Sequence, residues 1–240
     1  APVDFVRDAL KRGLGLESTL GANPFAFGLI GSTDTHIGTP GLVKEKGFGG
    51  HGGAGKPGSK ALEPGLPDVP ALNPGGLAVL WAEENSRDAL YEAMLRKEAY
   101  ATSGTRPELR FFGGWRYADD LCSGADVAGT GYAQGVPMGG QLPARPEDAA
   151  APRFVVAAVR DADPAAGDLE RIEIVKGWQE GGVAKETVLT VAGGDRKADV
   201  DLATCAPRGE GYDQLCRVFT DPDFDPAEPA FYYARLRENP

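Results

Sequence analysis

The sequence predicts an α/β layer over residues 1–107, followed by an antiparallel β-sandwich over residues 108–240. Three observations predict it. Two short apolar runs, Phe25 to Ile30 and Leu77 to Trp81, alternate with helical patterns in the order helix, strand, loop, strand, helix. After Pro107 five strand-like runs follow one another with no long helical pattern between them. Turn chemistry such as Asp161-Ala162-Asp163-Pro164 and Gly181-Gly182 separates those runs.

From Asp4 to about Leu20, Val6, Leu10, Leu16 and Leu20 are loosely helical in spacing, with Asp4 to cap and Gly21 to terminate. Phe25 to Ile30 then reads as a strand running into Gly31-Ser32-Thr33-Asp34-Thr35-His36. Residues 38–76 are rich in Gly and Pro and read as a long loop, of a kind that often carries function. Leu77-Ala78-Val79-Leu80-Trp81 reads as a buried parallel strand that ends in Ala82-Glu83-Glu84-Asn85. Ser86 to about Glu98 is helical, with Leu90, Ala93, Met94 and Tyr100 on or near one face and Arg96 and Lys97 in the last turns. The turn Ala101 to Pro107 closes the first part. The strands of the second part are Leu109 to Phe112, Phe154 to Val159, Leu169 to Val175, Val188 to Val191 and Phe231 to Leu236.

A net charge of −10 with no Lys/Arg stripe argues against nucleic acid and anionic lipid as partners. No apolar run is long enough to span a membrane, and no basic-then-apolar signal segment opens the chain. Starting at Ala1 and stopping at Asn239-Pro240 just after a strand, the chain reads as a piece of a longer protein; trimmed termini are the alternative. None of the three cysteines belongs to a Cys-x-x-Cys motif. Cys205 and Cys216 flank a polar loop and can pair in an exported protein, which leans the location towards the periplasm and leaves Cys122 free. Two reduced cysteines in a cytosolic protein are the other reading.

The chemistry-bearing residues are few. Asp34 and His36 sit two apart at the end of the expected strand, where α/β barrels place catalytic groups. A carboxylate and a neutral imidazole are common ligands of a hydrolytic divalent metal, although such a centre takes three or more protein ligands. The alternative is a capped turn. Glu83 and Glu84 end the next strand and would share that rim, one of them as ligand or general base, or else as an exposed acidic turn. Thr102-Ser103-Gly104-Thr105-Arg106 offers N–H groups, three hydroxyls and a guanidinium, which suits a phosphate or carboxylate as well as a simple helix-stop turn. His51 lies in Gly49-Gly50-His51-Gly52-Gly53, a loop able to fold over a site or stay exposed. Two motifs are decoys. Gly50 to Lys56 has phosphate-loop spacing, but Pro57 replaces the magnesium-binding hydroxyl. Asp221 to Asp225 alternates like a calcium loop, but Pro226 and Tyr232 stand where glycine and glutamate are needed. There is no Gly-x-Ser-x-Gly elbow either.

Several stretches together resemble the C-terminal part of a large bacterial family, domain of unknown function 3604. They are Asn23-Pro24-Phe25, Gly31 to His36, Trp81 to Asn85, Tyr100 to Arg106, Gly135-Val136-Pro137-Met138-Gly139-Gly140, Ile174-Val175-Lys176-Gly177-Trp178 and Asp221-Pro222-Asp223-Phe224. Family members resemble the polymerase-and-histidinol-phosphatase superfamily of metal-dependent phosphoesterases, which are related to amidohydrolases. The resemblance implies a segment of a distorted α/β barrel, with Asp34 and His36 as late metal ligands and the Thr102–Arg106 turn near the site. It also implies that the early His-x-His ligands belong to an N-terminal portion of the same protein, so the fragment alone would be inactive.

The expected function is that of part of a metal-dependent hydrolase, of phosphoesterase type, with metal-activated water as nucleophile. Asp34 and His36 would hold metal (zinc, manganese or iron). Arg106, Glu84 and His51 are the catalytic candidates, and Thr102, Ser103 and Thr105 would bind a small anionic substrate. The alternative is a non-catalytic β-sandwich that binds carbohydrate or a partner protein through exposed Trp115, Tyr117 and Trp178.

Overall fold

The computed structural model describes residues 5–33, 75–124, 126–164 and 166–240. Within them lie helices α1 (Val6–Leu20), α2 (Arg87–Leu95) and α3 (Val127–Gln134). The strands are β1 (Leu77–Leu80), β2 (Ala99–Thr102), β3 (Glu108–Gly114), β4 (Gly135–Pro137), β5 (Arg153–Val159), β6 (Leu169–Glu180), β7 (Val183–Gly193), β8 (Asp199–Val200), β9 (Pro207–Arg208), β10 (Gln214–Thr220) and β11 (Ala230–Glu238). They form four small antiparallel sheets, ordered β1-β2, β10-β5-β3-β4, β11-β6-β7 and β8-β9. None of the described helices is long and apolar enough to cross a membrane.

This architecture overturns the expected fold class, an α/β barrel segment followed by a β-sandwich. A barrel segment needs helices that return the chain to parallel strands. Here Leu77–Leu80 pairs antiparallel with β2, Leu77 opposite Thr102 and Leu80 opposite Ala99. The intervening α2 has nine residues, capped by Ser86 Oγ accepting the Ala89 N–H at 3.2 Å. It stops at a Schellman turn, in which the N–H of Glu98 bonds Ala93 O and that of Lys97 bonds Met94 O, both at 3.0 Å. Lys97, at φ 59°, turns the chain back along β1. A short apolar run reads alike in parallel and antiparallel pairing, so the run itself did not distinguish them. Phe25 to Ile30 forms no strand: Phe27 and Ile30 are exposed, and Phe25 packs edge-on against Phe27 instead.

The chain divides into two compact units. One comprises Ala1–Phe27, Leu109–Val159 and Asp168–Pro240; the other comprises Gly28–Glu108 and Arg160–Gly167.

In the first unit the β6–β7 hairpin turns through Gly181 and Gly182, at φ 57° and 81°, the pair of positive values a two-residue turn demands. Alternation along β6 then sends residues to two faces. On one face Gln179 Nε2 donates to Lys11 O at 2.8 Å, and Arg7 and Lys11 donate to Glu186 of β7 at 2.9 and 2.8 Å, which docks α1. Farther along that face burial opposes the charge of Glu173. Hydrogen bonds from Arg171 Nε (2.7 Å) and Arg235 Nε (2.5 Å) outweigh it and hold the carboxyl below its ordinary range. The opposite face carries Ile172 and Ile174, both buried, and meets β5 where the rings of Tyr232 and Phe154 approach to 4.4 Å.

Behind β5, the core of Phe112, Tyr117 and Val155 is closed by Leu121, Val127, Ala128 and Val218. The Tyr117 hydroxyl donates to Gly131 O of α3 at 2.8 Å. This eight-residue helix lies in the stretch after Pro107 where the sequence shows no long helical pattern; its glycines at 129 and 131 hide it from propensity. A disulfide joins Cys122 to Cys216 on β10, with Cα atoms 5.6 Å apart. Neither sequence reading of Cys205 and Cys216, paired with each other or both reduced, holds: Cys216 pairs with Cys122, and Cys205 is a free, exposed thiol.

Candidate functional site

Of the candidate residues, Asp34, His36 and His51 lie outside the described residues. The segment leading to the first two is described. Gly31 lies against Leu77 and Thr102, Ser32 lies against Gly76, and Thr33 is buried. A Cβ on Gly31 would stand 2.9 Å from Leu77 O and 3.2 Å from Thr102 O. One on Gly76 would stand 2.7 Å from Ser32 O. Backbone meets backbone here at distances no side chain permits, so both positions need glycine. The sequence entering the Asp34/His36 motif is thereby packed, at Gly31, against Thr102, where the turn that follows β2 begins.

That turn carries four of the candidates. Thr102 ends β2 and its Oγ1 accepts the Gly104 N–H at 3.3 Å. Ser103 and Arg106 are exposed, Thr102 and Thr105 half-buried, and Gly104 and Pro107 buried. The backbone is fixed from three directions. Pro107 confines Arg106 to extended conformations. The Tyr100 hydroxyl donates to Pro107 O at 2.8 Å. The Arg106 N–H donates to Asp161 Oδ2 at 2.7 Å, and the other oxygen of Asp161 accepts the Asp163 N–H at 2.9 Å. Hydroxyls and a guanidinium thus stand on a turn whose main chain is clamped, an arrangement suited to holding an anion.

Glu84 does not join this group. It is exposed on the bend before α2, beyond the Leu80/Ala99 end of the β1–β2 pair, whereas the Thr102–Arg106 turn lies beyond the Leu77/Thr102 end. Three residue steps, about 10 Å of strand, separate the two ends. Antiparallel pairing is the cause, since parallel strands would have put both on one rim. Asp161 is the residue sequence reasoning missed. Its only signal was the Asp-x-Asp-Pro pattern, which marks a turn without naming what the turn holds.

Among the described residues no group of three or more His, Cys, Asp or Glu is placed to hold a metal ion. Those residues therefore do not fit a complete metal centre.

The aromatics of the alternative reading are engaged elsewhere. Tyr117 is buried. The half-buried Trp115 donates its indole N–H to Pro143 O at 3.1 Å and meets Phe224 edge-on at 5.9 Å. Lys176 Nζ lies 5.1 Å from the centre of the Trp178 ring. In the first unit a cavity of about 420 Å³ is lined by Asp168, Arg196 and Glu210 to Gln214, none of them a sequence candidate. Its guanidinium lies over the Tyr212 ring at 4.3 Å and also donates to Gly211 O.

Fold and site together define a β-rich protein whose Thr102–Arg106 turn bears hydroxyls and is clamped by a carboxylate. Residues 1–240 match the model of the family described as "Protein of unknown function (DUF3604)", and the chain belongs to that family. No curated protein and no solved structure matches it.

Proposed function

We propose that this chain forms part of a metal-dependent hydrolase of the phosphoesterase kind, as its resemblance to the polymerase-and-histidinol-phosphatase superfamily implies. The observation that carries the reading is the close approach of Gly31 to Thr102 O, at the start of the clamped Thr102–Arg106 turn, because it brings the run into Asp34 and His36 next to a group suited to an anion. Held by Asp34, His36 and further ligands, a divalent ion (zinc, manganese or iron) would supply a water acidic enough to act as nucleophile near neutral pH. Asp34 and His36 have the donor chemistry such ions accept. Two ligands are fewer than a hydrolytic centre takes, so others would come from beyond the described residues, as the resemblance implies for an N-terminal portion of the same protein.

The chain's own contribution is substrate recognition. Arg106 would offer paired donors to a phosphoryl group, and Thr102, Ser103 and Thr105 would donate to its remaining oxygens. Glu84, at the far end of the strand pair, has no part in this reading. The test is hydrolysis of phosphomonoesters and phosphodiesters by the full-length protein loaded with each metal in turn. Turnover whose KM rises in Arg106→Ala supports the reading; no hydrolysis with any metal contradicts it.

A further inference from the structure

We infer that Asp161 is the positioning residue of the anion site, acting on substrate through Arg106; the inference rests on the reading of the Thr102–Arg106 turn as that site. Asp161 is 8% exposed, and its two oxygens accept the N–H groups of Arg106 and Asp163 at 2.7 and 2.9 Å. The chain brings it there by a detour. After β5 it returns to the second unit for Arg160–Gly167 alone and then leaves again. In the returning loop Ala166 is buried and its N–H bonds Asp163 O at 3.0 Å.

Electrostatics make the arrangement informative. A carboxylate bonded to the backbone of an anion-binding arginine opposes the anion by its own charge. A neutral acceptor would clamp one N–H without that repulsion. The carboxylate accepts two N–H groups at once, which an amide side chain cannot do through one oxygen with the same reach. It therefore holds the turn and the returning loop in one geometry, and the guanidinium of Arg106 starts from a fixed main chain.

The sign of a single substitution separates positioning from mere proximity. Inorganic phosphate is the probe, titrated calorimetrically into the full-length protein. Asp161→Asn, which removes the charge and one of the two acceptors, is expected to weaken phosphate binding by about tenfold, the worth of a charge-assisted hydrogen bond. In an Arg106→Ala background the same substitution is expected to change nothing further. Hydrogen exchange supplies the structural readout: the Arg106 amide is expected to lose protection in Asp161→Asn while the β1 and β2 amides keep theirs. Tighter phosphate binding in Asp161→Asn, or an equal effect with and without Arg106, overturns the inference and leaves the anion site standing. If wild type and Arg106→Ala both fail to bind phosphate, the site reading falls and the inference falls with it.

Discussion

Lys176 Nζ and Asp221 Oδ2 stand 2.7 Å apart with both side chains sealed from solvent, 4% and 1% exposed. The pair joins two stretches far apart in sequence, Ile174 to Trp178 on β6 and Asp221 to Phe224 after β10. Lys176 also donates to Asp223 O at 2.7 Å, while Asp221 accepts the Tyr232 hydroxyl at 2.6 Å and the Asp223 N–H at 3.0 Å. Every partner of the pair is therefore spoken for, which is the condition under which burying two charges is tolerable. Asp221→Ala leaves a buried ammonium without its counter-charge and is expected to cost about 3–5 kcal/mol in urea unfolding. A cost under about 1 kcal/mol would mean that the pair does not pin the two segments.

Alkaline titration tests the two buried phenols. Burial pushes Tyr117 up to about 12. Burial, and then the hydrogen bond to Asp221, push Tyr232 higher still. Both folded values lie above the unfolded one of about 10. Their linked stability is therefore fully present below about pH 10 and is lost as the pH rises through the folded values. Phenolate absorbance is expected to lose one late-titrating component in each of Tyr117→Phe and Tyr232→Phe. A single early transition for all seven tyrosines would contradict the placement of both side chains.

The disulfide makes a covalent prediction. Peptide mapping of the oxidised protein is expected to link Cys122 to Cys216 and to find Cys205 free to react without denaturant. Closing a sequence separation of 94 residues restricts the unfolded chain, so Cys122→Ala is expected to lower stability by about 5 kcal/mol at most. A Cys205–Cys216 peptide would refute the assignment.

Gly31→Ala tests the close approach on which the site depends. The added methyl would meet Leu77 O at 2.9 Å, and relieving the clash is expected to cost about 1–3 kcal/mol. Hydrogen exchange of the β1 and β2 amides is expected to quicken, while amides in β6 and β11 keep wild-type rates. Unchanged rates in β1 and β2 would show that the segment before Asp34 is not packed there.

What the sequence revealed and what it hid follow a physical line. Local signals were legible: Gly21 ends α1, Ser86 caps α2, and β3, β5, β6, β7 and β11 cover the expected apolar runs. Long-range choices were not. Whether Leu77–Leu80 pairs parallel or antiparallel depends on a turn at Lys97, a residue without the glycine signature of such a turn. The partner of Cys216 depends on the short turn Leu121–Ser123 meeting β10, a long-range contact that no local signal announces. For the site, the Thr102–Arg106 turn could be read from its residue types, whereas the buried carboxylate that clamps it comes from 55 residues away.

Metal content of the full-length protein, wild type against the Asp34→Ala/His36→Ala double variant, tests the central claim most directly. Divalent metal is expected in the wild type and is expected to fall sharply in the double variant, with the fold kept by circular dichroism. Equal metal in both, or none in the wild type, would contradict the hydrolase reading and leave Asp34 and His36 with a structural role.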